Sequence, residues 1–366
     1  MTDNINLETL IHTLTGNEKL LDENLDLHLA GYTMRIRSNH KPVLEKLAAY
    51  FSHVEPGSAE PDIEIHAIQS DVITDSALEF TDWAREPGKT GRKDAYFDIP
   101  NARVVHKVRT GMLFLQSAST RIAAGPCLQN DNQVINFINS QYMDWLQHNG
   151  WLICHASGME VNGHAIGMAG LSGGGKSTLM LNLMEDNSVN YVTNDRLFIR
   201  TDDSGVTARG IPKLPRINPG TIVFNERLHG LISQQRRDEL LQLPKQELWH
   251  LEEKYDVHIE QVYGPGRVTT EAELEAFVIL NWQHDTTEKT AVIAVDINQR
   301  RELLAALMKS PGPFYQHTDG SFHSDTAEFD EQSYLDALQG VTIYEVTGKV
   351  DFDIAGERLS EILDLE

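Results

Sequence analysis

The run Gly170-Leu171-Ser172-Gly173-Gly174-Gly175-Lys176-Ser177-Thr178 places a lysine and a hydroxyl directly after a segment with almost no side chains. That spacing, G-x-x-x-x-G-K-[ST], suits a polyphosphate. Consecutive glycines let the backbone turn with its N–H groups inward, at positions where a Cβ would obstruct a phosphate oxygen. The helix expected from Lys176 onward adds the positive end of its dipole. Lys176 can reach β- and γ-phosphates as a point charge, and the Ser177 hydroxyl is of the kind that ligates Mg2+. An apolar segment over 165–169 precedes the turn and an amphipathic one follows it, which is the strand–turn–helix context the chemistry needs. The sequence therefore predicts that residues 170–178 bind ATP with Mg2+.

Phosphoryl chemistry also calls for a carboxylate near the phosphates. Two are candidates: Asp195, in Thr193-Asn194-Asp195 at the end of the next apolar segment, and Asp296, after the apolar run 291–295. Asp195 is preferred, because its strand is expected to end beside the glycine turn. Asp296 reads as the start of a turn leading into a helix over 301–308. Downstream, the string from Gly210 to Gly220 holds prolines at 212, 215 and 219, which stiffen a loop carrying Lys213 and Arg216. Those cations are expected to offset charge developing on a transferred group, with a plain surface loop as the alternative. Arg196 follows Asp195 directly and, in a strand, would point to the opposite face. Trp249, Tyr255 and the segment 263–267 have the residue types of a mobile lid. His317, Asp319, His323 and Asp325 have metal-ligand types, without a helix or cysteine frame to fix them.

His155 is expected on the strand before the phosphate strand, upstream of Gly170. A histidine so placed, a Walker A turn and an acidic pair at the end of the next strand resemble the active site of the HPr kinase/phosphorylase family. The match covers roughly 150–200, in HASG, GLSGGGKST and VTNDRLFIR. KVRTGMLFL, GPCLQNDNQVINFIN and GIPKLPRINPGT extend it over 100–225 and make the chain most similar to the HPr-kinase-related kinases of group B. The resemblance implies an α/β fold: a P-loop kinase domain of the HPr kinase type with a smaller N-terminal α+β domain. It implies ATP-dependent transfer of a γ-phosphoryl group to a protein or small-molecule hydroxyl. His155, Lys176, Asp195 and Arg216 would be the catalytic residues, and Ser177 with Asp195 would hold Mg2+. Two departures stand out. Asn194 occupies the place of the family's first aspartate, the expected proton acceptor, and Thr207 the place of a glutamate before the Arg209-Gly210 pair. Asp195 matches the second aspartate, which leaves the base open between Asp195 and His155. The alternative reading is a catalytically weakened nucleotide-binding regulatory protein or NTPase.

These residues need an α/β layered domain to position them. Apolar periodicity predicts helices over 132–146, 176–184, 301–308 and 354–363, and strands at 151–156, 165–169, 191–193, 197–200, 276–280, 291–295 and 341–346. Upstream, a short helix within 1–20, a strand or hairpin over 25–37, a helix at 41–51, a strand at 63–68 and two strands within 103–115 suggest a small α+β domain. The stretch 82–100, rich in Gly, Pro, Lys and Arg, reads mostly as loop. The expected domains are 1–125 and 126–366. Fifty-four acids against 31 bases give 366 residues a net charge of −23, which disfavours nucleic acid as a partner. No apolar run is long enough to span a membrane, the N-terminus lacks the features of a signal peptide, and Cys127 and Cys154 are too few for a disulfide framework. A cytoplasmic protein is expected, with no membrane partner. From residue 318 onward, 13 acids face only Lys349 and Arg358, giving a solvated acidic surface or a docking face for a basic partner. A homo-oligomer is compatible with the sequence.

Overall fold

The computed structural model describes residues 5–57, 60–74, 77–85, 91–170 and 174–365. The chain forms two units, Met1–Asn149 with Ser310–Glu328, and Gly150–Lys309 with Phe329–Glu366. No helix among the described residues is long and apolar enough to cross a membrane.

Alternating apolar residues build the first unit around a sheet. Its strands are β1 (Asn24–Leu29), β2 (Tyr32–Ser38), β3 (Glu55–Pro56), β4 (Ile63–Gln69), β5 (Thr81–Asp82), β6 (Asp94–Ile99), β7 (Ala102–Lys107), β8 (Met112–Ser117) and β9 (Arg121–Gly125). Among the described residues they form one nine-stranded sheet, in the order β3-β1-β2-β4-β9-β8-β7-β6-β5. Helix α1 (Leu7–Thr15) buries Leu10 and Leu14 in a core with Val104, Leu113 and Leu115. Helices α2 (Lys41–Tyr50) and α3 (Asp131–His148) complete the unit. The expected loop over 82–100 contains a strand, β6, because Asp94–Ile99 pairs along its length with β7. The boundary expected at 125/126 lies instead after Asn149. Helix α3 packs with this sheet: Phe137 meets Phe114 at 5.1 Å, and the Gln141 amide donates to Gln116 at 2.8 Å. The segment 310–328 returns to the same unit through Arg103. That buried guanidinium donates to both oxygens of Asp98 (2.6 and 2.8 Å) and to the carbonyls of Pro313 (3.2 Å) and His323 (3.0 Å).

The second unit carries β10 (Leu152–Cys154), β11 (Ala156–Val161), β12 (His164–Gly170), β13 (Val189–Thr193), β14 (Leu197–Asp202), β15 (Gly205–Gly210) and a separate pair, β16 (Arg216–Ile217) with β17 (Tyr255–Asp256). Then come β18 (Glu271–Leu280), β19 (Ala291–Val295) and β20 (Thr342–Thr347). The main sheet runs β10-β14-β15-β18-β12-β11-β13, with β20 paired to β18 and β19 to β20. Helix α4 (Lys176–Leu183) and the C-terminal helix Phe352–Ile362 bury Leu179, Met180 and Leu359 in one core with Met168 and Val278. A second core joins Phe277 and Ile279 to Leu304, Leu307 and Leu335. This is a mixed α/β architecture.

Strand direction decides where a site can form. β12, β18 and β20 are parallel, and β13 runs with β12 because each is antiparallel to β11. Four strands therefore finish at one edge. The strand carrying Asp195 was expected next to β12, but β11 lies between them. Within the run 151–156 the strand breaks at His155, whose backbone N–H donates to Leu307 at 2.7 Å. The chain then forms a β11–β12 hairpin through Asn162 (φ 52) and Gly163 (φ 90), both in the left-handed region that an Asn-Gly turn favours.

Helix α4, eight residues long, is too short to be stable alone. Arg267, 7% exposed, holds its C-terminal end by donating to the carbonyls of Met184 (2.8 Å), Asp186 (2.8 Å) and Val189 (2.6 Å). The Tyr263 hydroxyl donates to the Leu181 carbonyl at 3.1 Å from a buried position. The segment 263–267, expected as part of a mobile lid, is a strut for α4. Replacing Arg267 by Met keeps an apolar stem but leaves these carbonyls without their donor. The expected cost is about 2–4 kcal/mol, the scale of a few buried hydrogen bonds to a charged group. Denaturant midpoints measure it, and hydrogen exchange over 176–184 should accelerate first. An unchanged midpoint would show that α4 is held by packing alone.

Candidate active site

β12 ends at Gly170, and Leu171, Ser172 and Gly173 lie outside the described residues. The chain continues through Gly174 and Gly175 into α4. Gly175 caps the helix at φ +89, and a Cβ there would fall 2.6 Å from the Phe352 ring, so a side chain is excluded on both grounds. The Trp282 indole N–H donates to the Gly174 carbonyl at 2.8 Å and grips the turn from outside. Lys176 Nζ folds back to donate to the Gly170 carbonyl at 2.8 Å. The hydroxyls of Thr178 and Thr221 share a hydrogen bond of 2.7 Å. Ser177 Oγ donates to Asn194 Oδ1 at 2.6 Å, which ties the first turn of α4 to the residues following β13.

Asp195 follows with φ +88, a left-handed conformation uncommon outside glycine. Its Oδ1 lies 3.2 Å from His155 Nε2 and its Oδ2 lies 2.6 Å from an Arg196 guanidinium nitrogen. The side chains of His155 and Asp195 are 19% and 35% exposed, so a ligand can reach the pair. Burial pushes the Asp195 carboxyl up, but Arg196, the His155 hydrogen bond and Lys213 outweigh it and hold the group well below the usual carboxylate range. The hydrogen bond to Asp195 pulls the His155 imidazole up. Burial and the charges of Lys176 and Lys309 outweigh that bond and leave it below the ordinary histidine value. Near neutral pH the pair is a carboxylate beside a neutral imidazole.

Cations crowd this edge of a chain whose net charge is −23. Lys213 acts on Asp195, and Lys254 lies close enough to feel both Asp195 and Arg216. Burial pushes the Lys254 ammonium down, Arg216 adds to this, and Glu252 and Asp195 oppose it. Arg216, expected as a clamp, has a carboxylate beside it. Its Nε lies 3.0 Å from Asp256 Oδ1 across the β16–β17 pair, so its charge is already matched. The proline-rich loop is fixed as expected: Tyr191 donates to the Lys213 carbonyl (2.5 Å) and the Val257 N–H to the Pro215 carbonyl (2.9 Å).

The expected site residues thus divide. Gly170, Gly174, Gly175, Lys176, Ser177 and Thr178 gather at the turn, and His155 and Asp195 meet beside it. Ser177 turns to Asn194, while the Asp195 oxygens go to His155 and Arg196. Arg196 does not point away, because the strand has ended at Thr193 and the left-handed residue turns the chain back. Lys254, Lys309, Trp282 and Phe352 carried no local signal; each arrives from a distant segment. Asp296 accepts from the backbone N–H of Asn298 at 2.9 Å in the turn expected of it. Among the described residues no group of three or more His, Cys, Asp or Glu could hold a metal, His317 and His323 included. Several acids beyond 318 have local tasks: Asp330 and Asp351 cap helices, and buried Glu345 pairs with Arg300.

No family model and no curated protein matches this sequence. Among solved structures, the Hpr(Ser) kinase/phosphatase from Coxiella burnetii is similar over 57% of this chain and 88% of its own, at 9% identity and a TM-score of 0.26. Likeness at that level leaves the reading of the site to its own geometry.

Proposed function

We propose that this protein is an ATP-dependent phosphotransferase of the HPr-kinase-related type, using Mg2+ and acting on a protein or small-molecule hydroxyl. The Ser177–Asn194 hydrogen bond carries the proposal. It joins the helix that opens after the glycine turn to the segment bearing Asp195, so a phosphate on the turn and an acceptor at His155–Asp195 share one site.

Gly170, Gly174, Gly175 and the N-terminus of α4 would hold the triphosphate, with Lys176 exchanging the Gly170 carbonyl for phosphate oxygens. The two adjacent oxygens of Ser177 and Asn194 suit Mg2+, which takes few protein ligands and keeps water and phosphate for the rest. They replace the expected pairing of Ser177 with Asp195. When bound, the ion neutralises charge on the β- and γ-oxygens. In the transfer the acceptor oxygen bonds to the γ-phosphorus and the bond to ADP breaks. The hydroxyl proton goes to the His155–Asp195 pair. It rests on the imidazole, because the surrounding cations make the carboxylate the weaker base. Lys213 and Lys254 offset charge on the transferred group. Asn194 in place of an acid favours a second reading, a nucleotide-binding regulator that binds ATP without transferring phosphate.

Incubation with γ-labelled ATP and a lysate from the protein's own source separates these readings: label on an acceptor supports transfer, and binding alone supports the regulator. Lys176→Ala should weaken Mg-ATP binding by roughly ten- to a hundredfold, the scale of one or two charge-assisted hydrogen bonds. Equal affinity by calorimetry would remove the phosphate site.

The cations beside Asp195 make a separate demand. Lys254→Met should slow single-turnover transfer on the order of a hundredfold, as for one lost oxyanion-type contact. Arg216→Met should slow it less, since Asp256 already matches that charge. The opposite ranking would restore Arg216 as the clamp.

The depressed imidazole fixes the sign of the pH dependence. The pair accepts a proton only while His155 is neutral, so the transfer rate should fall as pH drops through a value below 6.5, the ordinary histidine value. Lys309→Met removes one of the depressing charges and should move that acid limb upward. An unmoved limb would mean that another group titrates.

A further inference from the structure

Trp249, Trp282, His284 and Phe352 come from three segments: the helix Lys245–His250, the loop after β18, and the first residue of the C-terminal helix. Trp282 and Phe352 stand against the glycine turn, with Trp249 beside Phe352 and His284 beside Trp249. Trp282 donates to the Gly174 carbonyl and stands edge-on to Phe352, with centroids 5.0 Å apart and planes at 80°. Phe352 fills the space in which a Gly175 Cβ would fall. Trp249 lies 6.2 Å from Phe352 at 32° and 4.4 Å from His284 at 76°. Burial is graded outward: Trp282 is buried, Phe352 and Trp249 are half-buried, and His284 is exposed. The inner ring supports the turn, while the outer rings keep part of their surface in water.

A shelf of aromatic rings joined by a hydrogen bond and by direct packing to a phosphate turn has an occupant that matches both halves, a nucleotide. A nucleobase offers a flat π face, and its stacking on aromatic side chains depends little on which base it is. The shelf also follows the carboxyl end of β18, the parallel neighbour of β12, at the edge of the sheet where ligands of α/β proteins bind. We propose that Trp249 and Phe352, bordered by His284, form the subsite that stacks the base of the nucleotide. The inference rests on the reading of the glycine turn as a phosphate site.

Calorimetry with Mg2+ on the full chain tests it, with ATP and inorganic tripolyphosphate as paired probes. The unmodified protein should bind ATP more tightly than tripolyphosphate. Trp249→Ala should weaken ATP by roughly five- to a hundredfold, the range of one base–aromatic stack, and leave tripolyphosphate unchanged. Trp249→Phe should recover most of the loss, which separates stacking from a structural role. Retained tripolyphosphate binding shows that each variant is folded. Equal affinity for the two probes in the unmodified protein, a comparison that needs no variant, would overturn the base subsite and leave the phosphate site standing. An equal loss for both probes in Trp249→Ala would do the same. Failure of the unmodified protein to bind either probe would overturn the phosphate reading and this inference together.

Discussion

The Asp195 carboxylate is the interaction on which the site depends. It meets His155 and Arg196 directly and acts on Lys213 and Lys254, while Lys176 and Lys309 lie close enough to act on His155. Like charges gathered at a partly buried edge repel strongly, because the effective dielectric there is well below that of water. A negative centre lets them stay together. Holding it in place has a conformational cost: a non-glycine residue at positive φ is strained by about 1–3 kcal/mol, somewhat less for Asp, whose short side chain tolerates the left-handed region. The strain has a use. It lets the adjacent side chains of Asp195 and Arg196 meet on one side, which strict strand alternation would send to opposite faces, while Asn194 turns to Ser177.

Sheet order explains why that turn is needed. With β11 inserted between β12 and β13, the strand leading to Asp195 is one place removed from the strand leading to the glycine turn. Side chains must bridge the gap, and Ser177 and Asn194 do so. On the other side, β15 ends at Gly210, where a Cβ would stand 2.1 Å from the Val192 carbonyl oxygen. Only glycine permits that approach. It brings the following loop against the end of β13, where Tyr191 takes the Lys213 carbonyl as its hydrogen-bond acceptor. The charge of Lys213 thus reaches Asp195 through a backbone contact made elsewhere.

What could be read from the sequence follows from what is local. The glycine turn was legible, since its spacing encodes a single strand–turn–helix unit. Asp195 stands beside His155 and next to the Asn194 that reaches Ser177, although the strand adjacency invoked for it is interrupted by β11. That hairpin had a signal, Asn162-Gly163, which the apolar runs on either side overshadowed. Arg196 was misplaced because alternation was assumed beyond the end of a strand. The Asp256 beside Arg216 comes from a distant segment, as do Lys254 and Phe352, so local spacing carries no signal for any of them. The boundary at 125/126 failed because an amphipathic pattern locates the apolar face of α3 without saying which core receives it.

A net charge of −23 opposes an anionic ligand at long range. The distribution removes the conflict. Acids such as Asp296, Asp330 and Asp351 are tied into turns and helix caps, and Glu345 is neutralised within an ion pair. Exposed charges further than a Debye length of about 8 Å at physiological salt are largely screened, whereas charges at a partly buried edge are screened less. At close range a phosphate therefore meets Lys176, Lys213 and Lys254 more strongly than the acidic surface as a whole. The long-range field still disfavours extended polyanions, which would have to lie across that surface. A compact anion that fits the edge escapes most of the penalty, so a charge distribution that opposes an extended polyanion is compatible with a compact one.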